Sequence, residues 1–185
     1  MSPVTPTPAA DTEASAAGPA GHGVLDWVGL ACRLGPGGVL VVAGALKISD
    51  LEQSVLAVRG YQILPYDLAV VVGHALPPLE IIVGVLLIAG LFTRWAALIG
   101  SLFMAAFIIG ITQAWVRGLT IDCGCFGGGG QVAANQTKYG LEILRDAGLM
   151  ALGVFLVIRP HTPFAVEDRL FALAPVPTDE FPDNE

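Results

Sequence analysis

Four stretches of this chain stay apolar for longer than a soluble helix needs to cover one face, and they constrain the fold more than any other feature. A helix rising about 1.5 Å per residue needs about 20 apolar residues to cross the hydrocarbon of a bilayer. With 54% of the residues hydrophobic and only 14% charged, these stretches predict an all-α integral membrane protein, a four-helix bundle embedded in the lipid bilayer. The 185 residues leave room for one such domain and short connections, and none for a second folded domain. We expect a disordered N-terminal segment over 1–23, the four-span domain over 24–159, and a polar, acidic C-terminal tail over 160–185.

Span one is expected from about Leu25 to Ile48, with Trp27 at its entrance, Lys47 at its exit, and Pro36 set among glycines to kink it. Between Ser49 and Pro65, Leu51, Val55, Leu56 and Val58 alternate with Asp50, Glu52 and Arg59 at helical spacing, the pattern of a short interfacial helix. Span two follows from about Asp67 to Phe92. Its Pro77-Pro78 pair removes two backbone donors, and neighbouring helices must cover that break. Thr93 and Arg94 turn directly into span three, about Trp95 to Val116, so these two spans are antiparallel neighbours. A glycine-rich loop over 118–140, read as flexible, holds Asp122-Cys123-Gly124-Cys125-Phe126. Span four, about Leu141 to Ile158, starts with Glu142, Arg145 and Asp146 near the face of that loop. A further amphipathic stretch is expected around Phe164 to Leu173.

The charges narrow the function classes. The net charge of −7 is concentrated toward Thr178 to Glu185, a solvated tail. The nine basic residues are scattered singly, so no nucleic-acid surface forms. Residues 1–23 contain no Lys or Arg and so lack the positive start of a secretory signal, which predicts that the first span is retained. Four spans place both termini on one side and the cysteine loop on the other. Lys47, Arg59, Arg117 and Lys138 lie on the loop side, against Arg94, Arg159 and Arg169 on the terminal side, a count that slightly favours cytoplasmic cysteines.

Cys123 and Cys125 are the strongest chemical signal. One intervening glycine lets the backbone bend enough to close a tight, easily reduced disulfide ring. The same pair also fits a simple loop staple. Zinc is the third use, but the remaining Cys32, His22, His74 and His161 are distant in sequence from a four-ligand site, and no metal is expected. Asp122 would raise a neighbouring thiol's pKa unless Lys138 or Arg145 compensated. Cys32, alone in span one, reads as a small hydrophobe.

Arg33 and Glu80 are intramembrane charges, roughly 12 Å and 18 Å from the same side by helical rise, so they are expected to meet as an ion pair, structural or functional. His74, Arg145 and Asp146 fall in the half of the bilayer nearest the cysteines, where a proton route competes with packing and snorkelling.

Several segments together resemble the methylamine-utilisation MauE proteins, within the wider DoxX-like four-helix membrane proteins, over about residues 25 to 158. They are Arg33 with the glycines that follow it, Gly44-Ala45-Leu46-Lys47, Tyr61 to Pro65, Leu76 to Glu80, Leu91 to Ala97, Ile121 to Gly127, and Arg145-Asp146. The resemblance implies a redox-associated membrane protein that supports disulfide formation or electron transfer in exported proteins, beside a thioredoxin-like partner. It also implies a cysteine loop on the extracytoplasmic side and cytoplasmic termini. That opposes the charge count, and it is the assignment adopted, because lasting disulfides need an oxidising compartment. No cofactor is evident. A quinone is compatible with such chemistry, but no motif supports it, and the Cys-x-x-Cys pair of quinone-coupled disulfide generators is missing.

Two readings of function follow: thiol-disulfide exchange through Cys123 and Cys125, and a membrane scaffold in which the cysteines only staple the loop. A small-molecule carrier built on Arg33 and Glu80 is disfavoured, because no internal repeat is apparent.

Overall fold

The computed structural model describes residues 24–133, 137–160, 162 and 165–167. The expected N-terminal disorder, all but residues 165–167 of the amphipathic stretch around Phe164 to Leu173, and most of the acidic tail lie outside these residues. Five helices follow in order: α1 (Val24–Ile48), α2 (Leu51–Gly60), α3 (Tyr66–Ala89), α4 (Thr93–Val116) and α5 (Tyr139–Ile158). Two short strands, β1 (Ile121–Asp122) and β2 (Gly130–Gln131), lie between α4 and α5.

Helices α1, α3 and α4 are each long and apolar enough to cross a membrane, and the chain is an all-α membrane protein. Helix α5 has 20 residues, enough for about 30 Å, and differs from the others in carrying Glu142, Arg145 and Asp146 in its first two turns. It packs along α4 and α1, while α1 lies against α3. Leu40, Leu87, Met104 and Leu156 close the centre of the bundle. The exposed apolar side chains, among them Val42, Ile82, Leu102 and Leu144, form the outward surface that a lipid environment requires.

Helix α3 stops at Ala89, three residues short of the expected end. Gly90 takes a left-handed conformation and its N–H bonds back to the carbonyls of the last turn, the usual way a glycine closes a helix. Both α1 and α3 continue through their prolines. Pro77 has no N–H for the carbonyl of Gly73, and the Ser54 hydroxyl of α2 donates to that oxygen at 2.9 Å. The carbonyl that Pro77 leaves open is thus covered by α2, and that bond anchors α2 to α3.

Glycines set the α1–α3 spacing. A Cβ on Gly84 would come within 2.7 Å of the Gly37 carbonyl oxygen, and one on Gly44 within 2.7 Å of the Pro77 oxygen. Gly84→Val therefore forces the two helices apart, with an expected loss of about 2 kcal/mol. The measurement is denaturant unfolding in detergent, with Gly38→Ala as the control, since nothing lies within 4 Å of a Cβ at that position.

The same contacts correct the expected Arg33–Glu80 pair. Glu80 is bonded to Lys47, with Nζ to Oε1 at 2.6 Å, and both side chains are buried. Arg33 donates through Nη1 to Thr162 Oγ1 at 2.7 Å, at the other end of the bundle. With Gly44 against Pro77 and Gly37 against Gly84, Glu80 lies level with residue 41 of α1. Lys47 is then about 9 Å along the axis and Arg33 about 12 Å. Side chains lean toward the N-terminus of their helix, so Lys47 and Glu80 lean toward each other while Arg33 leans away.

The last described residues pack on the Arg33 end. The Glu167 N–H donates to the Gly90 oxygen, the Glu167 carboxylate accepts from the Thr93 N–H, and Ala165 is buried.

Candidate functional site

The loop between α4 and α5 is built, not slack. β1 and β2 pair antiparallel, with Ile121 opposite Gln131 and Asp122 opposite Gly130. Tyr139, at the start of α5, holds the loop's base: its hydroxyl donates to the Leu119 oxygen at 2.6 Å and accepts from the Ile121 N–H at 2.9 Å. Tyr61, just after α2, donates to the Cys123 oxygen at 3.0 Å, and its own carbonyl accepts from Gln113 of α4. Gln53 of α2 donates to the Gly129 oxygen at 2.8 Å. The glycines permit this close seat on α2. Gly124 (φ +69°) and Gly129 (φ +116°) lie so near Ala57 that a Cβ on either would come within 2.6 Å of it.

The turn places both thiols on the inner side of the loop. Cys123 and Cys125 are 7% and 6% exposed, and the Cys125 N–H points at Cys123 Sγ, 3.4 Å away. The Asp122 carboxylate accepts from the Gly124 N–H at 2.9 Å and so fixes the turn between them. All three cysteines are thiols, and Cys32 lies in the apolar core with Leu40 and Leu87.

Charge divides the pair. Cys125 faces Arg145 and Lys47, whereas Cys123 faces Glu142. The hydrogen bond donated by the Cys123 thiol holds the Cys125 pKa below the ordinary thiol value, with the two cations helping and burial and Asp146 opposing. The same bond, followed by burial and the Cys125 charge, pushes Cys123 well above it. Burial likewise raises the Tyr61 phenol, so it stays protonated and donates.

Arg145 organises the floor. Its Nε and Nη2 both reach Asp146 Oδ1 at 2.8 Å, and its guanidinium stacks 4.9 Å from the exposed ring of Phe126. Below Cys125 lies a cavity of about 10 Å³, the space of a single water. Leu40, Glu80, Met104, Phe107, Arg145 and Asp146 are among its walls.

The structure thus brings Cys123, Cys125, Asp122, Arg145, Asp146 and Glu80 to one end of the bundle. His74 does not line the cavity. Its Nδ1 lies 2.8 Å from the Val70 oxygen on its own helix. Arg33 is at the opposite end. Sequence reading passed over Lys47, Tyr61 and Glu142 as site residues. Lys47 was visible as the last-turn cation of span one, and Glu142 as a carboxylate one turn before Asp146. Asp122, Cys123 and Glu142 offer three donor atoms within 4.8 Å of one another, two hard oxygens and one soft sulfur, a set one short of a closed tetrahedral zinc site.

The family model described as methylamine utilisation protein MauE matches residues 25–159, which span α1 through α5. The chain belongs to the MauE family. No curated protein and no solved structure matches it. The MauE match takes in both the cysteine loop and the charged floor beneath it.

Proposed function

We propose that this MauE-family protein exchanges thiols and disulfides with a thioredoxin-like or exported partner, through Cys123 and Cys125 at the extracytoplasmic face. Helix α5 is the fourth span in this reading, both termini are cytoplasmic, and the partner serves methylamine utilisation. The observation that carries it is the geometry of the pair: two buried thiols in one tight turn, with the Cys125 N–H on Cys123 Sγ at 3.4 Å, and unequal neighbours, Asp146, Arg145 and Lys47 acting on Cys125 and Glu142 on Cys123. A staple needs no such division, whereas exchange needs one thiolate ready to attack and one thiol held back.

The Cys125 thiolate attacks one sulfur of a partner disulfide. A Cys125–partner disulfide forms, and the partner's other sulfur leaves as a thiolate and takes a proton. Cys123 then loses its proton and attacks the Cys125 sulfur, releasing the second partner thiolate. The partner gains two electrons and two protons, and the chain is left with a Cys123–Cys125 disulfide. The reverse sequence passes that disulfide to an exported protein.

The sulfurs are buried, so a partner reaches them only when the loop lifts. Gly127, Gly128, Gly129 and Gly130 all have positive φ and supply a hinge that side-chain-bearing residues would stiffen. The test is acid quenching of membranes followed by alkylation of free thiols, with masses read on the peptide holding both cysteines. We expect a reducible Cys123–Cys125 disulfide whose fraction changes with the partner's redox state. If the Cys123→Ser/Cys125→Ser double variant leaves exported disulfides and phenotype unchanged, the exchange reading fails and the scaffold reading replaces it.

A further inference from the structure

The proposed exchange leaves a proton to place. The Cys125 thiol must lose it before attack, in a site closed from above by the loop and walled below by the bundle. The titratable groups around the pair and its cavity are Cys123, Asp146, Arg145, Lys47 and Tyr61, which act on Cys125, Glu80, which lines the cavity with it, and Asp122 and Glu142, which lie by Cys123. Helix α4 contributes the uncharged Met104 and Phe107.

Two carboxylate oxygens among these, Glu80 Oε2 and Asp146 Oδ2, are fully buried and have no hydrogen-bond partner among the described residues. Both residues line the cavity beneath Cys125, and their side chains are 1% and 2% exposed. An ionised oxygen left bare in such a place is costly. The cavity that Glu80, Asp146 and Cys125 all line has the size of one water.

We propose that Glu80 is the proton-accepting residue for Cys125, through that cavity, with Lys47 fixing its carboxylate. The inference rests on the exchange reading and adds the route of the proton. The step balances within the site: the S–H bond of Cys125 breaks, an O–H bond forms on Glu80 by way of a water in that cavity, and no charge leaves. Lys47, Arg145, Glu80 and Asp146 sum to zero before the step, as do Lys47, Arg145, Asp146 and the thiolate after it. Loss of the proton to bulk water would instead leave an unbalanced buried anion. Asp146 is the poorer acceptor. Its Oδ1 takes two bonds from a guanidinium that never deprotonates, and protonation would break that pair. Glu80 has one bond, from an ammonium held 5.6 Å over the Phe107 ring, and its second oxygen has no partner among the described residues.

Because an internal transfer does not change the site's total proton count, the thiolate fraction is constant over the pH range between the site's outer titrations. A thiol with a depressed pKa is also flat above it, so internal transfer and electrostatic tuning are told apart by removing the Glu80 carboxylate. The experiment follows alkylation of Cys125 by iodoacetamide against pH, in the full chain in nanodiscs, on a Cys32→Ser background, by mass spectrometry. It needs no partner, so it is independent of whether exchange occurs. The expected wild-type rate is flat through the neutral range. In Glu80→Gln the neutral rate falls about tenfold and regains a slope of about tenfold per pH unit. The Lys47→Gln/Glu80→Gln variant, which strands no charge, shows the same loss. A Glu80→Gln rate at or above wild type overturns the proposal, since Glu80 would then only repel the thiolate. Recovery of the flat profile in the double variant also overturns it.

Discussion

We expect Cys123→Ser to accumulate a mixed disulfide between Cys125 and the partner, and Cys125→Ser to accumulate none. The two thiols are almost equally buried, at 7% and 6% exposure, and are separated by a single residue, so exposure and chain position cannot distinguish them. Charge does. A hydrogen bond from Cys123, with Arg145 and Lys47, favours the Cys125 thiolate against burial and Asp146, while that bond, burial and the nearby Glu142 favour the protonated Cys123. Thiolate fraction sets attack rate, and a difference of one pKa unit is tenfold in that fraction. We therefore expect iodoacetamide to modify Cys125 at least about tenfold faster than Cys123 at neutral pH. The bond between the thiols sets a sign for pH. The Cys125 folded-state pKa lies below its ordinary value, so its thiolate is lost only as pH falls through that depressed value. Cys125 thus contributes stability that is lost as pH falls through its depressed value, while Cys123, shifted upward, contributes stability present below the ordinary thiol value and lost as pH rises above it. Equal trapping by the two serine variants would remove the asymmetry and, with it, the assignment of Cys125 as the attacking residue.

The long helices were legible because hydropathy and length are summed over many residues, and errors at single positions cancel. Trp95, Trp115 and Arg117 mark the ends of α4 within two residues of where composition puts them. The cysteine pair and the charged start of α5 could be read as neighbours from the parity of the spans alone. Partner choice could not. Depth along a helix was estimated from backbone rise, which gives Glu80 and Arg33 similar levels. The actual pairing is decided by the lean of each side chain and by the glycine contacts that set the α1–α3 register. Those contacts are long-range, and nothing local to Arg33 or Lys47 encodes them. The hairpin was hidden for a related reason. Four consecutive glycines read as slack, yet here they allow a turn to seat against Ala57, and Tyr61 and Tyr139 fix it by hydrogen bonds across 62 and 20 residues of sequence.

The buried Lys47–Glu80 pair gives the largest expected effect on stability, and its sign depends on which partner is removed. Lys47→Met leaves an ionised carboxylate with no counter-charge at 1% exposure, and we expect a loss of about 3 kcal/mol in detergent unfolding. Glu80→Leu leaves an ammonium facing Phe107 and costs a similar amount, about 3 kcal/mol. The Lys47→Met/Glu80→Leu double variant removes both charges and fills the space with apolar volume, so it returns to within about 1 kcal/mol of wild type. Strict additivity of the single losses would mean that the 2.6 Å contact carries no coupling energy and that the register of α1 on α3 is wrong. Arg33→Met offers the contrast: its bond is to Thr162 at the far end, so its effect adds independently to that of Glu80→Leu. A fold that is as stable without the Lys47–Glu80 pair as with it would not need two buried charges for stability. Their presence beneath Cys125 is then accounted for by the chemistry of the thiol above them, and the stable double variant should be the one that has lost its flat pH profile.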